Sequence, residues 1–197
     1  MVPFILILVV LAGLSLWELR FQDAGRVFLI GENLLASAER RATVCLLSYS
    51  NSHSAQDLQC FNREIDVAIG DMQARRELDS PRRSFAVISE GLVRGRNRAQ
   101  DVPTAILFYR LARWLPEVEE AVQIWRDSDR DVLRLAAIAE QLKTGKDGAE
   151  AAGLNRQIVE ADSDLSRLEL SFAEHLNYGM HFLAMCLSWH RELPQLF

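Results

Sequence analysis

The stretch AEAAGLNRQIVEADSDLSRLELSFAEHL, residues 149–176, decides the fold class of this chain. Its apolar residues recur every three or four positions, as in a helix that packs against other helices. They are Leu154, Ile158, Ala161, Leu165, Leu168, Phe172 and Leu176. The same spacing returns in residues 21–47 and 116–142, and no segment shows the polar–apolar alternation of a strand. The sequence therefore predicts an all-α fold, an antiparallel helical bundle with long first and last helices.

Turn and capping residues set the predicted helix boundaries. Residues 48–54 read as a polar turn, with Ser54 as N-cap of the second helix. We expect that helix to break or kink at Gly70-Asp71, where Gly tolerates positive φ and Asp can cap a new start. The third helix is expected to begin at Ser80 and Pro81 and to end at Gly95. The fourth helix is expected to begin at Asp101 and the fifth at Pro116, and a linker is expected over residues 143–148.

The N-terminal segment has the character of a membrane anchor. Residues 1–17 contain no charged side chain, and as a helix they would extend about 25 Å, close to the ~30 Å bilayer core. A cleaved signal peptide is the alternative, but a basic start and a small-x-small cleavage site are missing. The sequence thus predicts a transmembrane anchor over residues 1–19, continuous with the first helix. The bundle over residues 20–179 would then lie outside the cytoplasm, on a single-pass bacterial inner-membrane protein.

Bulk composition narrows the function classes. The chain has 197 residues, enough for one domain with a real core, and its net charge of −5 gives no reason to expect nucleic acid as a partner. No metal-ligand spacing, phosphate loop or nucleophile elbow occurs, so we expect no catalytic residue, no cofactor and no metal. Of three cysteines, Cys45 and Cys60 flank the first predicted turn; a disulfide and two buried thiols are both open, and buried thiols are the commoner arrangement.

Arginines crowd the middle of the chain, between residues 75 and 98, whereas residues 117–174 are acidic. The common reason for such a pattern is that basic and acidic helices face each other or water. The alternative is a pocket for a small anion near the predicted helix start at Asp101, because guanidinium groups suit carboxylate and phosphate. Its candidate residues are Arg75, Arg94, Arg96, Asn97, Arg98 and Asp101. For Arg75 we favour a structural role, as the buried partner of Asp129.

Short motifs in the middle of the chain carry a resemblance to a known family. They are Gly70-Asp71 with Ala74-Arg75, then Gly95, Asn97 and Asp101, then Phe108-Tyr109, then Trp125 with Asp129. In this order and spacing the chain resembles the helical extracytoplasmic sensor regions of bacterial membrane diguanylate cyclases of the GGDEF type. Similar regions precede EAL phosphodiesterases and hybrid sensor histidine kinases. Arg98 and Ala99 stand where that family often has His-Pro.

The resemblance implies a sensory, signal-input domain that senses a small ligand or a periplasmic partner protein. It would relay helix movement to an output unit for cyclic-di-GMP turnover or histidine phosphorylation, which this chain lacks. Residues 180–197 would be a C-terminal tail, truncated before the second transmembrane helix that such receptors have. A homodimer is compatible with this reading. The alternative is a single-span helical adaptor that holds a partner at the membrane, with Phe182, Leu183, Met185, Leu187 and Trp189 as its docking run.

Overall fold

The computed structural model of the chain describes residues 2–145 and 149–192, and these residues form six α-helices without a strand. The helices are α1 (Val2–Ser52), α2 (Ala55–Asp79), α3 (Phe85–Arg94), α4 (Val102–Ala112), α5 (Pro116–Lys143) and α6 (Ala149–Glu192). The predicted all-helical class is confirmed. Within the described ranges, no helix combines the length and the apolarity that spanning a membrane requires.

The three longest helices, α1, α5 and α6, form the frame of the bundle. α6 packs along α5 and α1, and α2 packs along α1 and α3. Arg40 of α1 pairs with Glu169 of α6 at 2.5 Å, and farther along the same two helices Met180 packs on Gly25. One apolar cluster surrounds Phe108 and Trp125 and another surrounds Leu46 and Leu135, so the core extends along the length of the bundle.

Three helix starts agree with the sequence and one does not. Ser54 caps α2, Asp101 is the N-cap residue of α4 and Pro116 begins α5, as predicted. The third helix was expected at Ser80 and Pro81, but α3 begins at Phe85, behind a turn. The Ser84 side chain accepts from the Val87 amide, and the Ser84 amide donates to Glu77 at 2.7 Å. Because its hydroxyl oxygen and its backbone amide both form these hydrogen bonds, Ser84 is a better N-cap for α3 than Ser80.

The predicted turn over residues 48–54 is also shorter than expected, since α1 continues to Ser52. Tyr49 and Ser50 are buried, so this last turn belongs to the packed face of the helix. Cys45 and Cys60 form a disulfide across the junction, with Cα atoms 5.8 Å apart. The preference for two separate thiols was therefore wrong, because the hairpin between α1 and α2 brings the two residues face to face.

The predicted break at Gly70-Asp71 is absent, and α2 runs straight through both residues. Gly70 is instead the point where α3 approaches α2 most closely. A Cβ at Gly70 would lie 2.9 Å from the Gly91 carbonyl oxygen, and a Cβ at Gly91 would lie 2.6 Å from the Gly70 carbonyl oxygen. The two glycines allow two helix backbones to touch, so Gly70 serves packing and Asp71 is no cap. Gly95 caps the end of α3, as the sequence indicated.

Adding one methyl group at Gly70 should destabilise the fold. We expect Gly70→Ala to lower the free energy of unfolding by about 1–3 kcal/mol, because the backbones of α2 and α3 would be forced apart. Gly153→Ala in α6 is the matched control, since nothing lies within 4 Å of the added Cβ. It should stabilise the helix by roughly 0.5–1 kcal/mol. Urea denaturation of both variants measures the difference, and equal effects would contradict a packing role for Gly70.

Candidate functional site

A cavity of about 60 Å³, partly open to solvent, lies where all the long helices and the α3–α4 region meet. One water needs roughly 10–15 Å³, so about four to six water-sized groups have room. Most of its walls are apolar. The lining residues are Phe28, Gly31, Glu32, Leu35, Ala36, Glu39, Asp71, Leu78, Leu92, Asn97, Ala105, Ile124, Trp125, Ser128, Leu165, Leu168, Glu169 and Phe172.

Three aromatic rings make one side of the cavity. The centroid of Phe28 lies 5.8 Å from that of Trp125, edge to face, and 6.2 Å from that of Phe172, stacked. Trp125 and Phe172 meet edge to face at 6.5 Å. These separations are those of favourable aromatic pairs, so the three rings hold one another in place. α1, α5 and α6 each contribute one ring to this wall.

Four carboxyl groups make most of the polar part of the lining, together with Asn97 and Ser128. Glu32 and Glu39 come from α1, Asp71 comes from α2 and Glu169 comes from α6. Glu32 and Glu39 are seven residues apart, which is about two helical turns, so both lie on the same face of α1. Glu39 is 2% exposed and Asp71 is 6% exposed. Lys, Arg and His are missing from the lining, so the cavity has a strong acidic bias.

Burial disfavours the charged form of these carboxyl groups. It raises the pKa of Asp71 to about 7, even though the neighbouring Arg75 opposes the shift. It also raises the pKa of Glu32 to about 7, with a further contribution from the charge of Glu169. The pKa of Glu39 lies well above its usual range because of burial and the adjacent Glu169. Burial raises the pKa of Glu169 too, against the attraction of Arg40.

Two of these carboxyl groups have an oxygen without a hydrogen-bond donor. Oε1 of Glu39 and Oε1 of Glu169 are both buried, and within the described residues neither receives a hydrogen bond. The other oxygen of Glu169 accepts from Arg40 at the surface end of the site. A buried oxygen of this kind is normally paired, because leaving it unpaired costs about 1–3 kcal/mol. With Glu39 protonated, its carboxyl group hydrogen-bonds to Glu169, so the pairing of these oxygens depends on a proton. Once that proton is lost, both groups become buried acceptors that lack a donor inside the cavity.

Arg75 lies directly behind the aromatic wall, outside the cavity. Its guanidinium carbon is 5.8 Å from the centroid of Trp125, and its Nη2 donates to Asp129, the partner expected from the sequence. Asp129 also accepts from Arg76 at 3.1 Å. Asp79 lies 3.6 Å from Arg75. The positive charge of Arg75 is thus shared among carboxylates of α2 and α5.

The other predicted site residues are distributed differently from the expected anion pocket. Arg94 pairs with Asp66 at 2.5 Å, Arg96 pairs with Glu64 at 2.8 Å, and Arg98 is exposed. Asp101 stands at the N-cap of α4 without a side-chain capping bond. Asn97 alone of the six lines the cavity, where its Nδ2 donates to the Leu92 carbonyl and its Oδ1 lies beside Gly31. The anion site stays a prediction.

Sequence reasoning missed all four cavity carboxyl groups. A usable signal existed for two of them, because Glu39 lies among Leu35, Ala38 and Ala42 on the apolar face of α1, and Glu169 follows Leu165 and Leu168 in α6. Asp71 was mistaken for a cap.

The adaptor hypothesis named a docking run near the C-terminal end of α6. Phe182 of that run is 41% exposed and could contact a partner. The side chains of Leu183, Leu187 and Trp189 lie outside the part of the chain that the structure describes.

Metal binding finds no support in the part of the chain that the structure describes, where no group of three or more His, Cys, Asp or Glu side chains is arranged to hold an ion. Comparison with known proteins adds no identification. No protein-family model, curated protein or solved structure matches the chain. The class of protein is therefore set by its own geometry: an all-helical bundle with an acidic and aromatic cavity.

The buried carboxyl groups should make the protein less stable at neutral than at mildly acidic pH. Because the folded pKa of Asp71 lies above that of an unfolded aspartate, its stabilising contribution is complete below about pH 4. It is lost as the pH rises through about 7, with a limit on the order of 4 kcal/mol. The lowered pKa values of Glu64, Asp79 and Glu119 act at lower pH, outside this window.

Asp71→Asn isolates this effect. The variant should lose part of the decrease in unfolding free energy between pH 4.5 and 7.5, because its amide cannot ionise. Asp127→Asn, at an exposed position of α5, is the control and should leave the profile unchanged. Urea denaturation at several pH values measures the profiles. A parallel profile for Asp71→Asn and the original protein would contradict the assignment.

The ion pairs of the arginine segment give a second prediction. Arg96→Ala should lower the free energy of unfolding by about 1–3 kcal/mol, because Glu64, with 5% of its side chain exposed, keeps only Arg41 at 3.8 Å. Arg98→Ala should change stability by less than about 0.5 kcal/mol. The difference should shrink as the pH falls through the lowered pKa of Glu64. If Arg96→Ala is neutral and phosphate raises the melting temperature only of the original protein, the anion-site prediction is favoured instead.

Proposed function

We propose that this chain is a membrane-anchored sensory domain of a bacterial signal-transduction protein, facing the periplasm. It binds a small ligand in the central cavity and relays a helix displacement towards the membrane. The observation that carries the proposal is that α1 and α6, the two longest helices, both form walls of one cavity. A ligand there contacts both helices at once, so its differential affinity for two arrangements can shift one helix against the other.

The length of α1 supports a connection between the cavity and the membrane. α1 spans 51 residues, about 75 Å as a straight helix, and the cavity residues Phe28 to Glu39 lie near its middle. Its first turns expose a run of large apolar side chains, each 50% or more accessible: Ile5, Leu6, Ile7, Leu8, Val9 and Val10. Such a run favours a lipid or protein environment over water. A rigid helix joins this apolar end to the ligand site.

Further observations support the antiparallel arrangement and the compartment. The contacts of Gly25 with Met180 and of Arg40 with Glu169 run in opposite order along α1 and α6, as two antiparallel helices require. The disulfide between Cys45 and Cys60 is typical of proteins in an oxidising compartment, such as the bacterial periplasm. The resemblance to sensor regions of diguanylate cyclases, phosphodiesterases and histidine kinases supplies the class of output that would receive the displacement.

The relay is testable with spin labels on the membrane-proximal halves of the two helices. Asp23 of α1 and Tyr178 of α6 are both exposed and suitable for labelling in a Cys186→Ser background with the disulfide intact. Ala36→Leu, which adds three carbons to the cavity wall, should change the dipolar coupling between the labels by imitating occupancy. Ala137→Leu, on the exposed face of α5, should leave it unchanged. Identical spectra for a folded Ala36→Leu variant would refute the relay.

The compartment requires its own experiment. An export-dependent reporter such as alkaline phosphatase, fused after Gly148, should be active, and a fluorescent reporter that matures only in the cytoplasm should stay dark at the same position. The physical reason is that the apolar segment over residues 1–17 would carry the following bundle across the membrane. The reverse pattern of activity would place the bundle in the cytoplasm and remove the periplasmic half of the proposal.

A further inference from the structure

The chemistry of the cavity lining indicates which class of ligand fits. We propose that the cavity binds a small organic cation, an alkylammonium ion of about four to six non-hydrogen atoms. Its charged nitrogen would bind the carboxylates of Glu39 and Glu169, and its carbon chain would lie against Phe28, Trp125 and Phe172. This inference rests on the proposed function, because it names the ligand of the same cavity.

The argument for a cation begins with the unused acceptors. Oε1 of Glu39 and Oε1 of Glu169 are buried and receive no hydrogen bond within the described residues, and Glu39 is 2% exposed. An ammonium group offers three N–H donors and accepts no hydrogen bond, so it suits a site whose polar groups are nearly all acceptors. A bound anion would instead meet four carboxyl groups and no basic side chain among the lining residues.

The arrangement of acidic and aromatic residues argues for an organic cation over a metal ion. Phe28 and Glu32 are four residues apart on α1, and Glu169 and Phe172 are three residues apart on α6, so each pair shares one helix face. An ammonium ion attracts both neighbours, the carboxylate by charge and the ring face by its quadrupole. A metal ion needs several oxygen ligands at short distance, and the described residues contain no such cluster.

The size of the cavity limits the ligand. About 60 Å³ accommodates roughly four to six water-sized groups, which corresponds to a short alkylamine. Leucine side chains complete the apolar wall, so a carbon chain is preferred to a polyhydroxylated one. The matched probe is therefore n-butylammonium, with 1-butanol as the neutral analogue and butyrate as the anionic analogue of the same carbon skeleton.

Proton release should accompany binding. The carboxyl groups have raised pKa values, so one must lose its proton before it can pair with the cation. The affinity for n-butylammonium should consequently rise with pH, by up to about tenfold per pH unit, until the carboxyl groups are ionised. The charged groups that act on Glu39 and Glu169 contribute to this dependence: Glu32 and Arg40 of α1, Asp71 of α2 and Asp162 of α6. Asp71 is in turn influenced by Arg75 of α2 and Asp129 of α5.

Calorimetric titration of the full chain tests the inference. At pH 8 n-butylammonium should bind at least tenfold more tightly than 1-butanol, and butyrate should not bind. Titration at pH 5.5, where the carboxyl groups with raised pKa values still hold their protons, in buffers of different ionisation enthalpy should show release of up to about one proton per bound cation. Glu39→Gln and Glu169→Gln should each weaken binding at least tenfold, and Glu174→Gln, exposed on the same helix as Glu169, should bind as the original protein does.

Several results would overturn the inference. Equal binding of butanol and butylammonium would mean a merely apolar cavity, and binding of butyrate would mean the opposite charge preference. Absence of binding by all three probes would mean that Glu39 and Glu169 satisfy each other by sharing a proton. The probe comparison uses the unaltered chain, so it remains decisive if a Gln variant fails to fold. If the amine binds but the dipolar coupling between the spin labels does not change, only the relay is refuted. If Ala36→Leu changes this coupling but no amine binds, only the ligand class is refuted.

Discussion

The packing of this bundle depends on a buried guanidinium group. The side chain of Arg75 is 4% exposed, and a charge at that depth must be paired because an unpaired one would cost several kcal/mol. Asp129 supplies the closest partner from α5, and Trp125, one turn earlier on that helix, lies against the guanidinium. Asp79, at the end of α2, lies near Arg75 and also binds Arg113 and Arg126. One buried charge thereby fixes α5, and the end of α4, against α2.

The same arrangement separates the charges of the interior. The arginine side is neutralised by Asp129 and Asp79, and the hydroxyl of Tyr109 donates a hydrogen bond to Asp79 at 2.7 Å. On the other side of Trp125 the acidic groups of the cavity have few donors. Asp71 belongs to both sides, because it lies one turn before Arg75 on α2 and also lines the cavity. A structural ion-pair network and an acidic ligand site are thus neighbours, divided by the ring of Trp125.

Buried carboxyl groups without donors lower the stability of a fold, and such local conflicts tend to occur at functional sites. Here the conflict lies between α1 and α6, the helices that carry the proposed relay. Any species that neutralises Glu39 and Glu169, whether a proton or a cation, removes repulsion between these two helices. In the proposed relay, occupancy of the cavity is coupled to the packing of this helix pair through the electrostatic cost of the buried carboxyl groups.

The sequence by itself determined the helical class, the approximate extent of α5 and of the earlier part of α6, the cap at Ser54 and the pairing of Arg75 with Asp129. Those features follow from periodicity, from capping chemistry and from the need of a buried charge for a partner, all of which are local or involve residue type alone. Tertiary structure alone decided the role of Gly70 and the joining of Cys45 to Cys60. It also brought Glu39, Asp71 and Glu169 into one cavity. These three features depend on how closely the helices approach one another and on how each helix is rotated about its axis. Neither quantity can be read from the residue pattern of a single sequence.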